Sequence, residues 1–94
     1  MIENELLTKL IRVERTLSVF DNDSNNLLQE LEVNVPLDGL KMIVVPKEGD
    51  DQLYLPYVLN ESQIYRLNEI MGNPIEPDLK RNYYVLECIG IYDW

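Results

Sequence analysis

The stretch YYVLECIGIY, residues 83–92, decides the fold of this chain. It is rich in the aromatic and β-branched residues that favour a pleated sheet. Both of its faces are apolar: one carries Tyr84, Leu86 and Cys88, and the other carries Val85, Ile89 and Ile91. A strand that is apolar on both faces is typical of the interior of a sheet. The stretch therefore predicts a central strand with other strands paired beside it.

Two alternating stretches near the N-terminus predict an antiparallel hairpin. Residues 10–20 place Ile11, Val13, Leu17 and Val19 on an inward face, with Arg15 as the exception. Residues 21–26 are Asp, Asn and Ser, which favour a turn. Residues 27–35 alternate again, with Leu27, Leu31, Val33 and Val35 inward, and Pro36 ends the strand. The solvated face then carries Arg12, Glu14, Glu30 and Glu32, where cross-strand ion pairs are possible.

The middle of the chain holds one ambiguous segment and one clear helix. Residues 37–45 fit either a helix or a strand, and the apolar stripe after Pro36 favours a short helix. Residues 46–52 predict an exposed acidic loop, and Pro56 places the short extended segment 53–59 at a sheet edge. Asn60 and Gln63 are spaced as a capping box, so a helix is predicted over 61–71. A loop over 73–80 then leads to the last strand.

The order of these elements predicts the fold class. Strands and helices do not alternate strictly, which favours an α+β domain. We expect an antiparallel or mixed sheet of about four strands, with one or two helices on one face. The 94 residues suit a single small acidic domain spanning 1–94. Residues 1–9 are predicted to fray or to form a short helical turn.

The charge balance points towards a basic protein partner. The chain has 17 acidic and 8 basic residues, a net charge of −9 and a pI near 4.3. It has no basic surplus to displace counterions from phosphate, so we expect no direct binding of nucleic acid. An anionic membrane surface would repel the chain for the same reason. Acidity could instead serve solubility alone, and composition leaves both interpretations open.

No group of residues predicts catalysis. The chain contains no histidine, which removes the commonest general base and metal ligand. Its one cysteine, Cys88, lies mid-strand as a small hydrophobic residue. We therefore expect neither an enzyme nor a bound cofactor or metal. The N-terminus lacks the pattern of a signal peptide, and no apolar stretch is long enough to span a membrane, which predicts a cytoplasmic protein.

Aromatic residues suggest where a partner would bind. The chain has six tyrosines, with Trp94 at its end, and these residue types anchor many protein interfaces. Most of them could simply cap the core. Two tyrosines adjoin the acidic loop on a predicted sheet edge. The predicted partner-binding residues are therefore Glu48, Asp50, Asp51, Tyr54 and Tyr57.

The pattern as a whole resembles a family of small bacterial domains of unknown function associated with polymorphic toxins and contact-dependent inhibition. The resemblance covers most of residues 11–89, by spacing and residue type. It is carried by Val19-Phe20-Asp21, Leu31-Glu32-Val33, Asp50-Asp51, Tyr54, Tyr57-Val58-Leu59, Gln63 and residues 83–87.

The resemblance implies an immunity protein that binds and neutralises a cognate toxin, in particular a basic nuclease. A nuclease is basic because it must grip phosphate, and an acidic inhibitor can occupy the same cleft. An alternative is a phage-type acidic decoy that inhibits a host defence nuclease by DNA mimicry. A small enzyme and an oligomeric scaffold are further hypotheses.

Overall fold

The computed structural model of this chain describes residues 10–92, with side chains described from residue 12 to residue 90. Within this range lie β1 (Leu10–Asp21), β2 (Leu27–Glu32), α1 (Leu37–Lys41), β3 (Tyr57–Val58), α2 (Glu61–Ile70) and β4 (Asn82–Tyr92). The four strands form one antiparallel sheet in the order β2-β1-β4-β3. The predicted α+β class is confirmed. The predictions for residues 1–9 and for Trp94 lie outside the described residues.

The C-terminal strand lies in the interior of the sheet, as predicted. β4 pairs with β1 along its whole length and with β3 through Val85 and Leu86. Leu17 lies opposite Leu86, and Val19 lies opposite Tyr84. These cross-strand pairs are buried and belong to the core on one face of the sheet. Tyr84 and Leu86 therefore hold β4 against β1 within the core.

Both helices and the loops that join them supply the other half of the core. Ile64 and Leu67 lie three residues apart on α2, so they share one helix face. Leu40 is the buried residue of α1. These three side chains cluster with the buried row of β1 and β4. Further buried members of the cluster come from β3 and the connecting segments: Val33, Ile43, Val44, Leu53, Tyr57 and Leu59.

The capping box at the start of α2 is formed as predicted. The Asn60 side chain accepts from the Gln63 N–H, and the Gln63 side chain accepts from the Asn60 N–H, both at 2.9 Å. Gln63 also donates through Nε2 to the carbonyl of Ile43 at 3.2 Å. The cap therefore stabilises α2 and also ties it to the segment after α1. The helix ends at Ile70, and Gly72 follows in the left-handed region at φ +89°.

We expect Asn60→Ala to lower the free energy of unfolding by about 1 kcal/mol. The substitution removes the acceptor for the Gln63 N–H and leaves the start of α2 without its side-chain cap. Chemical denaturation measures this change. The matched control is Ser62→Ala, because Ser62 lies two residues after Asn60 in the first turn of α2 and is exposed. Equal stability of the two variants would contradict a contribution from the cap.

The short segment after β2 is a helix. α1 covers Leu37–Lys41, with Pro36 in the N-cap position, so the strand alternative for residues 37–45 is excluded.

The turn between β1 and β2 is also confirmed. Asp21 Oδ1 accepts from the N–H groups of Ser24 and Asp23 at 3.1 and 2.7 Å, and these bonds hold the pKa of the Asp21 carboxyl below its ordinary value.

The second strand differs from the prediction in length and in one orientation. β2 ends at Glu32, three residues before the predicted end at Val35. Leu27, predicted to point inward, is 51% exposed. The register shifts between Val19 and Phe20, so that Leu27 pairs with Phe20 and lies on the face opposite to that of Leu17. A bulge inserts one extra residue into a strand, so the side chains beyond it exchange their inward and outward positions.

The sheet face opposite the helices is less polar than predicted, and its ion pair joins different residues from those predicted. Ser18, predicted on the wet face, is buried, and Phe20 stacks on Tyr83 with ring centroids 5.2 Å apart. Arg12 pairs with Glu14 on its own strand at 2.9 Å, and not across to β2. Among the described side chains, none forms an ion pair with Glu30 or Glu32.

Candidate functional site

The loop between α1 and β3, residues 46–56, carries most of the predicted partner-binding residues. It begins and ends with proline and contains two successive tight turns. The Asp50 N–H donates to the carbonyl of Lys47 at 2.9 Å, and the Leu53 N–H donates to the carbonyl of Asp50 at 3.0 Å. Gly49 adopts φ +81° in the first turn, a conformation that glycine accepts without strain.

The Asp50 carboxylate is the hydrogen-bonding centre of this loop. Its Oδ1 accepts from the Tyr54 N–H at 2.8 Å, and its Oδ2 accepts from the Leu55 N–H at 3.1 Å and from the Tyr57 hydroxyl at 2.6 Å. Asp50 is only 6% exposed. The prediction that residues 46–52 are exposed is therefore wrong for Asp50, because the loop folds around this side chain. A buried carboxylate needs such donors to remain ionised.

The environment of Asp50 keeps it charged. Burial acts to raise the pKa of its carboxyl, but hydrogen bonds from Tyr57, Tyr54 and Leu55 and the charge of Lys47 together hold that pKa below its ordinary value. The pKa of the Tyr57 hydroxyl shifts in the other direction. Burial is the main cause of its increase, and the hydrogen bond to Asp50 adds to it. The pair is therefore an anion held by a neutral phenol at neutral pH.

Tyr57 joins the loop to the sheet and is also buried. Its hydroxyl accepts from the Lys47 N–H at 2.9 Å while donating to Asp50. The ammonium group of Lys47 lies 5.0 Å from the centre of the Tyr57 ring, a cation–π distance. Asp50 and Tyr57 thus meet inside the protein and shape the loop. Their side chains are not part of its outer surface.

Leu53 holds a strained backbone conformation in the same loop. Its φ of +53° lies in the left-handed region, which a bulky residue rarely occupies. Such a conformation persists only where the surroundings fix it, and it is found most often at functional sites. Here the Leu53 side chain is buried in the core, and its N–H is bonded to Asp50. Core packing and the Asp50 bonds therefore fix the residues that follow.

Arg15 anchors the loop to β1. Its Nη2 donates to the carbonyl of Gln52 at 2.7 Å, which explains why one cation interrupts the inward apolar face of β1. Cys88 lies opposite Arg15 in the sheet. Burial raises the pKa of the Cys88 thiol, Arg15 lowers it and Asp50 raises it, with a net upward shift. The thiol therefore stays protonated at neutral pH, as expected for a structural cysteine.

The outer surface of the loop is both apolar and acidic. Tyr54 is 52% exposed, Leu55 is 47% exposed and Val45, just before the loop, is 82% exposed. Glu48 and Asp51 are also exposed. We call these five residues the loop surface. Three of the five predicted site residues, Glu48, Asp51 and Tyr54, belong to it.

Sequence reasoning missed the residues that position this surface. Lys47, Leu53 and Arg15 hold the loop through contacts that no local motif indicates. Leu55 and Val45 are apolar residues that the sequence alone does not distinguish from core residues.

No group of three or more potential metal-ligating side chains occurs in the described part of the chain. Over residues 10–92, neither helix has the length and apolar character that crossing a bilayer requires.

Comparisons with known proteins identify a family without a described activity. The search of curated proteins and the search of solved structures found no match. A family model described as "Domain of unknown function (DUF7683)" matches residues 14–87. This range includes β2, both helices, β3, the whole of loop 46–56, residues 14–21 of β1 and residues 82–87 of β4. The resemblance to toxin-associated domains stays a prediction. The chain belongs to the DUF7683 family.

Proposed function

We propose that this protein is a binding module that uses the loop surface to occupy an electropositive site on a basic protein. The observation that carries the proposal is the fixed conformation of loop 46–56. Three donors hold the buried Asp50 carboxylate, and the residues next to it, Tyr54 and Leu55, are exposed. A surface that is already ordered loses little conformational entropy on binding.

The composition of the loop surface fits a basic partner. Tyr54 is the kind of aromatic side chain that anchors an interface, and Leu55 and Val45 add exposed apolar area. Glu48 and Asp51 add negative charge, and the chain as a whole carries −9. Complementary charge speeds the encounter of two proteins and selects against acidic competitors.

The specific partner that we propose is a nuclease toxin, which makes this protein an immunity protein. A nuclease needs a cationic cleft to hold phosphate groups, and an acidic, aromatic surface can block such a cleft. Support for this assignment comes from the net charge, the small size and the resemblance described above. Co-purification of the tagged protein from its native host tests it directly. Recovery of an acidic or neutral partner would contradict the proposal.

We expect Tyr54→Ala to weaken binding of the recovered partner by about tenfold or more, because it removes the aromatic anchor.

Asp51→Lys should weaken binding by a similar factor and reduce the dependence of the affinity on salt. Asp23→Lys is the matched control, since it makes the same charge change on another exposed residue, in the β1–β2 turn. Calorimetric titration measures all three. An equal loss of affinity in Asp23→Lys and Asp51→Lys would show that net charge, and not the loop surface, drives binding.

A further inference from the structure

The outer edge of β2 is an exposed strand edge at the opposite end of the sheet from β3. β2 stands at one end of the sheet order β2-β1-β4-β3, and in the described part of the chain no strand pairs with its outer side. Five of its six residues are exposed. An exposed strand edge presents main-chain groups to which another strand can bond.

The register identifies which main-chain groups point outward. Val33 donates to the carbonyl of Arg15 at 2.8 Å, in register with the β1–β2 ladder. Hydrogen-bonded pairs alternate along an antiparallel ladder, so the next such pair is Leu17 with Leu31. The residues that alternate with these pairs, Glu32 and Glu30, lie opposite Thr16 and Ser18 and direct their N–H and carbonyl groups away from β1. Their side chains lie on the sheet face opposite the helices.

Charge on this edge selects its occupant. Glu30 and Glu32 have no ion-pair partner among the described side chains. A strand that pairs with them places its own residues directly opposite, where opposite charges stabilise and like charges repel. A second copy of this chain would bring the same two glutamates and a charge of −9 to the contact. The edge therefore disfavours self-association and suits a basic strand.

A groove continues from the end of this edge. It has a volume of about 220 Å³ and is lined by Glu32, Asn34, Val35, Ile70 and Met71. Ile70 exposes an apolar side chain there. A strand that runs along β2 past Glu32 would place its next residues in this groove.

We propose that β2 binds an extended basic segment of another protein by strand addition. Residues opposite Glu30 and Glu32 are lysine or arginine, and the residue between them is apolar because it lies beside Leu31 on the other face. An apolar residue beyond this pattern occupies the groove at Ile70. Main-chain bonds supply affinity in this mode, and the alternating side chains supply specificity. This inference does not depend on the proposed function of the loop surface.

A short synthetic peptide in which lysine and valine alternate tests the proposal. A second peptide carries a methyl group on each lysine main-chain nitrogen, which keeps the charge but removes the donors to β2. Nuclear magnetic resonance should show that the first peptide slows hydrogen exchange at the amides of Glu30 and Glu32 by about tenfold or more. The methylated peptide should have little effect. Equal binding of both peptides, or no binding of either, would overturn the proposal.

A proline substitution in β2 removes a main-chain donor from the protein, as the methyl groups remove donors from the peptide. Glu30→Pro removes an N–H that β1 does not use, so the fold should persist, as circular dichroism can check. Peptide affinity should fall by about tenfold or more in this variant, whereas Tyr54→Ala should leave it unchanged. If Glu30→Pro binds the peptide normally, or if the wild-type protein forms dimers through this edge in sedimentation, the proposed occupant is wrong.

Discussion

Leu17→Ala is expected to lower the free energy of unfolding by about 3 kcal/mol and the melting temperature by roughly 15 °C. Leu17 has no exposed surface, and it lies opposite Leu86 where β1 meets β4. Truncation would leave a cavity under the helices that this rigid sheet cannot close. Because small domains are stabilised by only about 5–15 kcal/mol, this loss is a large share of the total.

Leu28→Ala is the matched control for this prediction. Leu28 lies on the edge strand β2 and is about half exposed, so its truncation should change the free energy of unfolding by less than about 0.5 kcal/mol. Chemical denaturation of both variants gives the comparison. Similar values for the two variants would mean that the β1–β4 row is not the centre of the core.

The parts of this fold that are local in sequence could be predicted from it. Residues 83–92 are apolar on both faces, and only an interior strand can bury both. Asn60 and Gln63 satisfy each other's main-chain groups within one helical turn, so their spacing alone indicates the start of α2. Position 25 is an asparagine, which accepts the left-handed conformation of the turn at φ +59°.

Features that depend on distant partners could not be predicted. The exposure of Leu27 follows from a bulge in β2 opposite Val19 and Phe20, and nothing in residues 27–35 indicates where that bulge falls. The alternation of residues 10–20 shows that Arg15 is an exception on the inward face of β1. Its partner, however, is a main-chain carbonyl 37 positions along the chain, at Gln52, which carries no side-chain signal.

In the candidate site, too, the local features could be predicted from the sequence and the features that depend on distant partners could not. An acidic loop next to tyrosines was evident from residues 48–57, and Glu48, Asp51 and Tyr54 are exposed there. The burial of Asp50 and Tyr57 could not be foreseen, because it depends on the left-handed turn at Leu53. A leucine is a poor predictor of that conformation. Core burial of its side chain imposes the turn, and the turn directs the next N–H groups at Asp50.

Asp50→Ala is expected to lower the melting temperature by about 10 °C or more at neutral pH. The substitution leaves the Tyr54 and Leu55 N–H groups and the Tyr57 hydroxyl without their common acceptor. The main-chain bond from the Leu53 N–H to the carbonyl at position 50 is kept in this variant, so the loss reports on the side chain alone. Asp51→Ala, an exposed neighbour with the same charge, should change the melting temperature by less than about 2 °C. Thermal unfolding followed by circular dichroism distinguishes the two.

The pH dependence of Asp50→Ala provides a second, independent measurement. Because the folded protein lowers the pKa of Asp50, the stabilisation is fully present above the unfolded-state value of about 3.9. It is lost as pH falls through the lower folded-state pKa, where the carboxylate becomes protonated. The gap in melting temperature between wild type and Asp50→Ala should therefore be constant near neutrality and narrow below about pH 4. A gap that stays constant down to pH 2 would show that the loop needs the shape of Asp50 but not its charge. In that case, the loop surface would be held by packing of Leu53 and not by the carboxylate.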